Sequence, residues 1–270
     1  MAIDHYENFP VASRLLSKSI RQAMHTVYEF ARSADDIADS SELSESFKRE
    51  RLQFYRDELI RLERNEAAVT HLFNELGNII RDFNIPTTYF HNLLDAFEQD
   101  LTVSRYLTFT ELEKYCQKSA NPVGRIVLHI FGEPTEEQFA ASDRICTSLQ
   151  LINFMQDVQK DLALGRIYIP EEEMKEFGVS EKHIRSGIFD LNWINLMASQ
   201  ITRIKQYLDH GIVLTHLLSG RHRTEIKAIV KSAERVVFKI EKNRGNVFHT
   251  NSRLSVWDGV LIALKTFLRA

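Results

Sequence analysis

The chain has 270 residues and a formal charge of −3. It is long enough for one large domain or two small ones, and it lacks the basic surplus that draws a protein onto nucleic acid. Ten glycines and five prolines are few for this length, which argues against a β architecture built on many tight turns.

The N-terminal stretch MAIDHYENFP carries acids and no apolar run, so no signal peptide is expected. Farther on, Ile20, Ala23, Met24, Val27, Ala31 and Ala34 recur at helical spacing and make one apolar face. On an ideal helix Tyr28, Arg32, Asp35 and Asp39 share a strip beside that face, and Asp36 lies farther round. Asp35 and Asp39, at i and i+4, therefore point toward the same space at the edge of the core. Two carboxylates so close repel each other, more strongly as water withdraws, and a divalent cation removes the conflict. Acids also cap and solubilise helices, so this segment alone decides nothing.

Pro86 and Pro122 suit the first turns of helices, and Thr108-x-x-Glu111 and Thr135-x-x-Gln138 fit the capping-box pattern. Gly165, Gly178 and Gly220 look like helix stops. Cys116 and Cys146 lack metal-ligand spacing and read as small buried hydrophobes in a reducing compartment. About nine helices longer than two turns are expected. No linker, repeat or low-complexity stretch separates them, so one all-α domain over residues 1–270 is the economical reading.

The run LQLINFMQDVQKDLALGRIYIP holds a second stripe. On one wheel Gln150, Asn153, Asp157 and Asp161 occupy an arc of roughly 80°, while apolar residues fill most of the remainder. A polar ridge in an otherwise apolar helix is costly unless something satisfies it, and two such ridges can face each other across a cavity. Oxygen ligands without clustered His or Cys favour a hard ion, magnesium first and manganese as its substitute. The implied chemistry is the handling of a diphosphate.

Beyond it, Arg223, Lys227, Lys231, Arg235 and Lys239 form an i, i+4 ladder. It reads as a solvated face or as a docking strip for anionic lipid. The histidines show neither H-E-x-x-H nor paired E-x-x-H spacing, and no glycine-rich nucleotide loop appears. The late stretch VWDGVLIALKTFL is too short to span a bilayer and is broken by Asp258 and Lys265. A soluble cytoplasmic protein is expected, with at most peripheral contact at the inner membrane surface.

The segments ARSADDIAD and NFMQDVQKDLALGRIYIP together resemble the two aspartate motifs of the squalene and phytoene synthases, the head-to-head isoprenoid synthases. Between them YCQKSANPVGRIVLHIFG takes the place of that family's Tyr-Cys-x-x-Val-Ala-Gly segment. The resemblance runs from about Tyr6 to Arg253 and implies a single-domain helical bundle with a central cavity. Two departures indicate a branch. Asn8 and Phe9 stand where the family usually has Ser-Phe, and Ser119-Ala120-Asn121-Pro122 replaces the Val-Ala-Gly element. Both variants resemble the hydroxysqualene synthase branch of bacterial hopanoid pathways, which takes presqualene diphosphate and ends the cation with water, without NADPH.

By that resemblance Arg32, Asp35, Asp36 and Asp39 take the first-motif role and Asp157 with Asp161 the second, the five aspartates as metal ligands. Gln150 and Asn153 match polar positions beside the second motif, and Tyr115 matches an active-site tyrosine. Its plainer reading is a buried tyrosine with one satisfied hydroxyl. Asn8, Phe9, Arg166, Tyr168 and Arg253 match substrate-side positions, although Gly245 stands where the family segment near Arg253 often has tyrosine. The alternatives are an enzyme that condenses two farnesyl diphosphates to presqualene diphosphate, squalene or phytoene, and a non-catalytic assembly-factor relative. Pathway partner enzymes are a further expectation.

Overall fold

The computed structural model describes residues 16–132, 134–250, 252–255, 258, 259, 262 and 266. Every regular element among them is a helix. In chain order these are α1 (Lys18–Asp39), α2 (Glu45–Glu63), α3 (His71–Asp82), α4 (Thr88–Asp100), α5 (Phe109–Ser119), α6 (Asn121–Phe131) and α7 (Glu136–Gln156). The short α8 (Val158–Ala163), α9 (Glu171–Glu176) and α10 (Glu181–Ser186) come next, then α11 (Leu191–Gly211), α12 (Leu214–Leu217) and α13 (Gly220–Lys242). Nine of these exceed two turns, in agreement with the periodicity.

One core cluster gathers α1 to α4 with α6. Phe30 is fully buried, with the rings of Phe90 and Phe73 set edge-on at 5.3 Å and 5.8 Å. Such a ring removed from water contributes about 2–3 kcal/mol. The buried face of α1 is Ala23, Met24, Val27, Phe30, Ala34 and Ala38, whereas Ile20 and Ala31 are only half-buried. The apolar strip is therefore turned slightly toward Phe30, and Asp35 and Asp39 remain on its border.

A second cluster surrounds α7, which buries residues on all its sides, Leu151, Ile152, Phe154 and Met155 among them, and packs against α5, α6, α11 and α13. Two glycines permit these approaches. A Cβ on Gly211 of α11 would come 3.0 Å from the Ile145 amide and 3.1 Å from the Ala141 carbonyl. The space a Cβ would need on Gly124 of α6 is occupied by Ser142 Oγ and Cys146 Sγ.

Most local signals in the sequence are obeyed. The Thr135 and Gln138 side chains form the full reciprocal box at the start of α7. At α5 Thr108 Oγ1 accepts from the Glu111 amide at 3.2 Å, but Glu111 Oε2 accepts from Leu107 N, one residue earlier than the box pattern predicts. Pro122 lies in the first turn of α6, whereas Pro86 stands one residue ahead of the cap Thr87. Gly165 and Gly178, with φ of +84° and +66°, come after α8 and α9 as stops. Gly220 is not a stop. It opens α13, where its φ of +53° turns the chain into the helix behind Ser219. Cys116 is buried, Cys146 is half-buried, and neither is in a disulfide.

The cationic ladder of α13 is not a free face. Arg235 Nε and Lys239 Nζ lie 2.6 Å and 2.8 Å from Asp258, Lys231 pairs with Glu234 at 2.7 Å, and Arg223 Nε donates to Leu218 O. Four of the five rungs are thus bonded within the chain. Among the described residues no helix is long and apolar enough to cross a membrane.

Candidate active site

Asp35 and Asp39 lie on the last turns of α1, and Arg32 one turn before them bridges Asp35 at 3.1 Å and Asp36 at 2.6 Å. The Asp36 side chain is 58% exposed and stays on the solvent side of this group. Burial, reinforced by Asp39, pushes the Asp35 carboxyl up to about 7.

The second stripe does not lie on one straight helix. α7 ends at Gln156, Asp157 adopts φ −102° and ψ 15°, and α8 begins at Val158. The hydrogen bonds nevertheless run through the break, from Asp157 N to Asn153 O at 2.9 Å and from Asp161 N to Asp157 O at 2.8 Å. Asp157 and Asp161 thus remain one turn apart. Gly165 reverses the chain after α8, and the Arg166 amide bonds back to Asp161 O at 2.8 Å. That turn returns the Arg166 guanidinium to α1, with Nη2 2.8 Å from Asp39 Oδ1. Burial, then Asp157, raises Asp161 to about 7, and Asp39 adds to the effect. The two aspartate segments therefore meet, with Asp39 of the first close enough to act on Asp161 of the second.

A residue absent from the motif reading stands between them. Asp100, the last residue of α4, accepts from Tyr115 Oη at 2.6 Å and from Tyr168 Oη at 3.0 Å. Burial raises it to about 6; the two tyrosines and Arg166 oppose the rise and Asp39 adds to it. Burial pushes the Tyr115 and Tyr168 hydroxyls well above the ordinary phenol range, so both remain protonated donors. Their rings belong to an aromatic stack with Tyr106 and Phe154, in which Phe154 and Tyr168 are 4.0 Å apart and nearly parallel. One signal could have pointed to Asp100: an acid at a helix C-terminus opposes the helix dipole and calls for a reason.

The remaining expected residues divide. Arg253 Nη2 approaches Asp157 Oδ1 to 3.6 Å. Gln150 and Asn153 are half-buried on α7, about two turns and one turn before its end. Asn8 and Phe9 lie outside the described residues. Asn121, part of the departing segment, is buried and accepts from Thr147 Oγ1 of α7 at 3.0 Å. Gly245 has φ +76°, Met197 fills the space a Cβ would take, and Trp193 Nε1 donates to its carbonyl at 2.9 Å. A tyrosine has no room there.

A pocket of ≈ 400 Å³ opens between α4, α5, α6, α7 and α11, lined by Asn92, Gln117 and the paired charges Arg125 and Asp143. The resemblance implies a cavity between the stripes, but none of the expected site residues lines this one.

Among the described residues no three His, Cys, Asp or Glu side chains converge as a metal-binding group. Asp35, Asp36, Asp39 and Asp157 are each paired with an arginine instead. The donor set still fits a hard cation. It is all oxygen, two of its carboxylates are pushed up by burial and mutual repulsion, and buried Asp39 Oδ1 accepts no well-directed hydrogen bond despite its ion pair with Arg166. An incoming anion that took the arginines would release carboxylates for the cation it brings.

Residues 3–258 match the model of the squalene/phytoene synthase family. A hydroxysqualene synthase from Rhodopseudomonas palustris is 37% identical over 233 residues, covering 86% of this chain and 78% of that protein. The presqualene diphosphate synthase of the same organism is 33% identical over 222 residues, covering 82% and 77%. The crystal structure of a squalene synthase from Alicyclobacillus acidocaldarius superimposes with a TM-score of 0.82 at 34% identity, covering 90% of this chain and 91% of that one.

Proposed function

The chain belongs to the squalene/phytoene synthase family, a family of enzymes, and from that membership we propose that it is a hydroxysqualene synthase acting on presqualene diphosphate. What carries the reading at the site is the meeting of the two aspartate segments through Asp39, Arg166 and Asp161. Asp35, Asp39, Asp157 and Asp161, with Asp36 at the exposed edge, would hold magnesium, or manganese in its place. Bound there, the ion supplies positive charge against the departing diphosphate.

Arg32, Arg166 and Arg253, which now pair with these acids, would turn to the diphosphate oxygens, where a planar guanidinium makes two directed bonds. The exchange places cationic donors where negative charge grows as the C–O bond breaks. The aromatic group of Tyr106, Tyr115, Phe154 and Tyr168 would supply π-density near the carbocation that remains and would help keep bulk water from it. Because Tyr115 and Tyr168 donate their protons to Asp100, their oxygens are left as acceptors. A water that donates to such an oxygen turns its own lone pair outward, toward the cation. Its proton leaves through the tyrosine hydroxyl to Asp100 as the new C–O bond closes. Before that capture the cyclopropylcarbinyl cation rearranges and its ring opens, so the products are hydroxysqualene and diphosphate, and the overall change is a carbon–oxygen lyase reaction followed by water capture. No nicotinamide is required.

The test is mass identification of the product from presqualene diphosphate with magnesium and no reductant. Hydroxysqualene carrying oxygen from labelled water is expected. Squalene formed only on addition of NADPH, or no consumption, would overturn the reading. Condensation of two farnesyl diphosphates is the second reading, favoured by the 33% identity to a presqualene diphosphate synthase, and consumption of farnesyl diphosphate in the same assay would select it.

A further inference from the structure

We propose that Asp258 is a positioning residue for the diphosphate end of the site: clamped between Arg235 and Lys239 of α13, it fixes the segment 252–255 so that Arg253 is carried to the second aspartate pair. The inference deepens the reading above and rests on it.

The contacts run as one chain of bonds. The Asp258 side chain is only 3% exposed. Arg235 Nε reaches its Oδ1 at 2.6 Å, and Lys239 Nζ, Ser255 N and Ser255 Oγ each reach its Oδ2 at 2.8 Å. The same Lys239 ammonium donates to the carbonyl of Arg253 at 2.5 Å, so one cation ties the clamp to the backbone of the arginine it is argued to place. On the other side of Arg253, Ser252 Oγ accepts from Gln156 Nε2 at 3.0 Å, and Gln156 directly precedes Asp157. Arg253 is thus held from both flanks, and its guanidinium stands 3.6 Å from Asp157. That separation exceeds the ~2.8 Å of a charge-assisted bond.

A segment that only had to cover the core could do so with apolar side chains, because a buried ion cluster rarely adds stability over a hydrophobic one. What directed bonds from two cations and two Ser255 donors add is a fixed register. Bonds from Lys239, from Ser255 and from Arg235 hold the Asp258 carboxyl well below the usual carboxylate range, so the clamp stays charged at any working pH. The clamp also accounts for two rungs of the cationic ladder, which the sequence left between a solvated face and a lipid strip.

The test is isothermal titration calorimetry of inorganic pyrophosphate, with magnesium, on the full chain. Asp258→Asn is expected to weaken binding about tenfold, the effect of losing one well-placed charged donor, and Arg253→Ala to do the same. In the Arg253→Ala background Asp258→Asn should have no further effect, which a merely structural role would not produce. Should Asp258→Asn fail to fold by circular dichroism, Ser255→Ala, which leaves every charge in place, is used instead, with a weakening of about threefold that likewise vanishes without Arg253. Tight wild-type binding that these substitutions leave unchanged, or losses that simply add, would overturn the positioning role alone. A wild-type chain that ignores pyrophosphate would overturn the diphosphate reading, and this inference with it.

Discussion

Asp95 and Asp100 stand on the same helix, and their surroundings set them apart. Burial alone would raise Asp95, but bonds from Lys118 and Arg56, at 3.1 Å and 2.9 Å, hold it below the ordinary carboxylate value. Asp100 receives two tyrosine hydroxyls instead, and burial lifts it to about 6. The contrast extends along α7. Near its start Arg125 holds Asp143 with two bonds of 2.6 Å and 3.0 Å, whereas just past its end Asp161 is raised to about 7. Charges at one end of the bundle are balanced within the chain. At the other, acids exceed the arginines that face them, and the proposed cation would relieve their repulsion. On the proposed reading, the difference separates acids that hold the fold from acids that would serve the chemistry, although both kinds are partly buried aspartates.

The most direct way to break the comparison is to remove one acid from each end. Asp35→Asn should lower turnover of presqualene diphosphate by about a hundredfold or more, the scale of losing one element of charge stabilisation in a transition state. Asp95→Asn should leave turnover within about twofold and cost about 1 kcal/mol in urea unfolding, because solvent screens a pair this exposed. Similar losses of turnover in both variants would erase the distinction.

A finer test is Asp100→Asn. The amide keeps one acceptor oxygen but turns an NH₂ toward a hydroxyl that already donates, so one of Tyr115 and Tyr168 must reverse. Turnover should fall about tenfold, and near-ultraviolet circular dichroism should retain the signature of the Phe154–Tyr168 stack. Unchanged kinetics would mean that these hydroxyls serve the core and nothing else.

The helices and the two aspartate stripes were legible because each is a local pattern. The 3.6-residue period places Asp35 beside Asp39, and the i, i+4 hydrogen bonds hold Asp157 and Asp161 together even across the break at Asp157. Three features were not legible, for one shared reason. Asp100 joins the site only because α4 ends where Tyr115 and Tyr168 converge. Arg166 meets Asp39 only after the Gly165 turn. Arg235 and Lys239 are occupied by Asp258, a residue that reads as an interruption in an apolar run. Each is a tertiary contact between separate elements, and no period encodes it. Gly220 erred in the opposite direction. Its left-handed backbone was foreseeable, but such a turn can end one helix or open the next, and the helical run from Arg221 to Lys242 decides for the second.

The smallest expected effect concerns stability without metal. Asp35 and Asp161 are each raised from 3.8 in the unstructured chain to about 7 when folded. Within that window the folded chain binds more protons than the unfolded one, so its stability is greatest below the lower value and is lost as pH rises through the upper. Above it both carboxylates are ionised side by side, and the fold bears their repulsion. Asp35→Asn removes one of them, and at about pH 8 the magnesium-free variant should be more stable than wild type by about 1 kcal/mol, a modest gain because the Asp35 side chain keeps 37% exposure and water screens the charge. At about pH 4, where wild-type Asp35 is already protonated, the two should melt together. Magnesium should reverse the order at the higher pH, since it binds ionised acids and stabilises the form that holds it. Thermal unfolding of both proteins at the two pH values, with and without the ion, reads all of this directly. A wild-type curve unmoved by magnesium, together with a variant that gains nothing at high pH, would show that the acid end of the bundle is as balanced as the other.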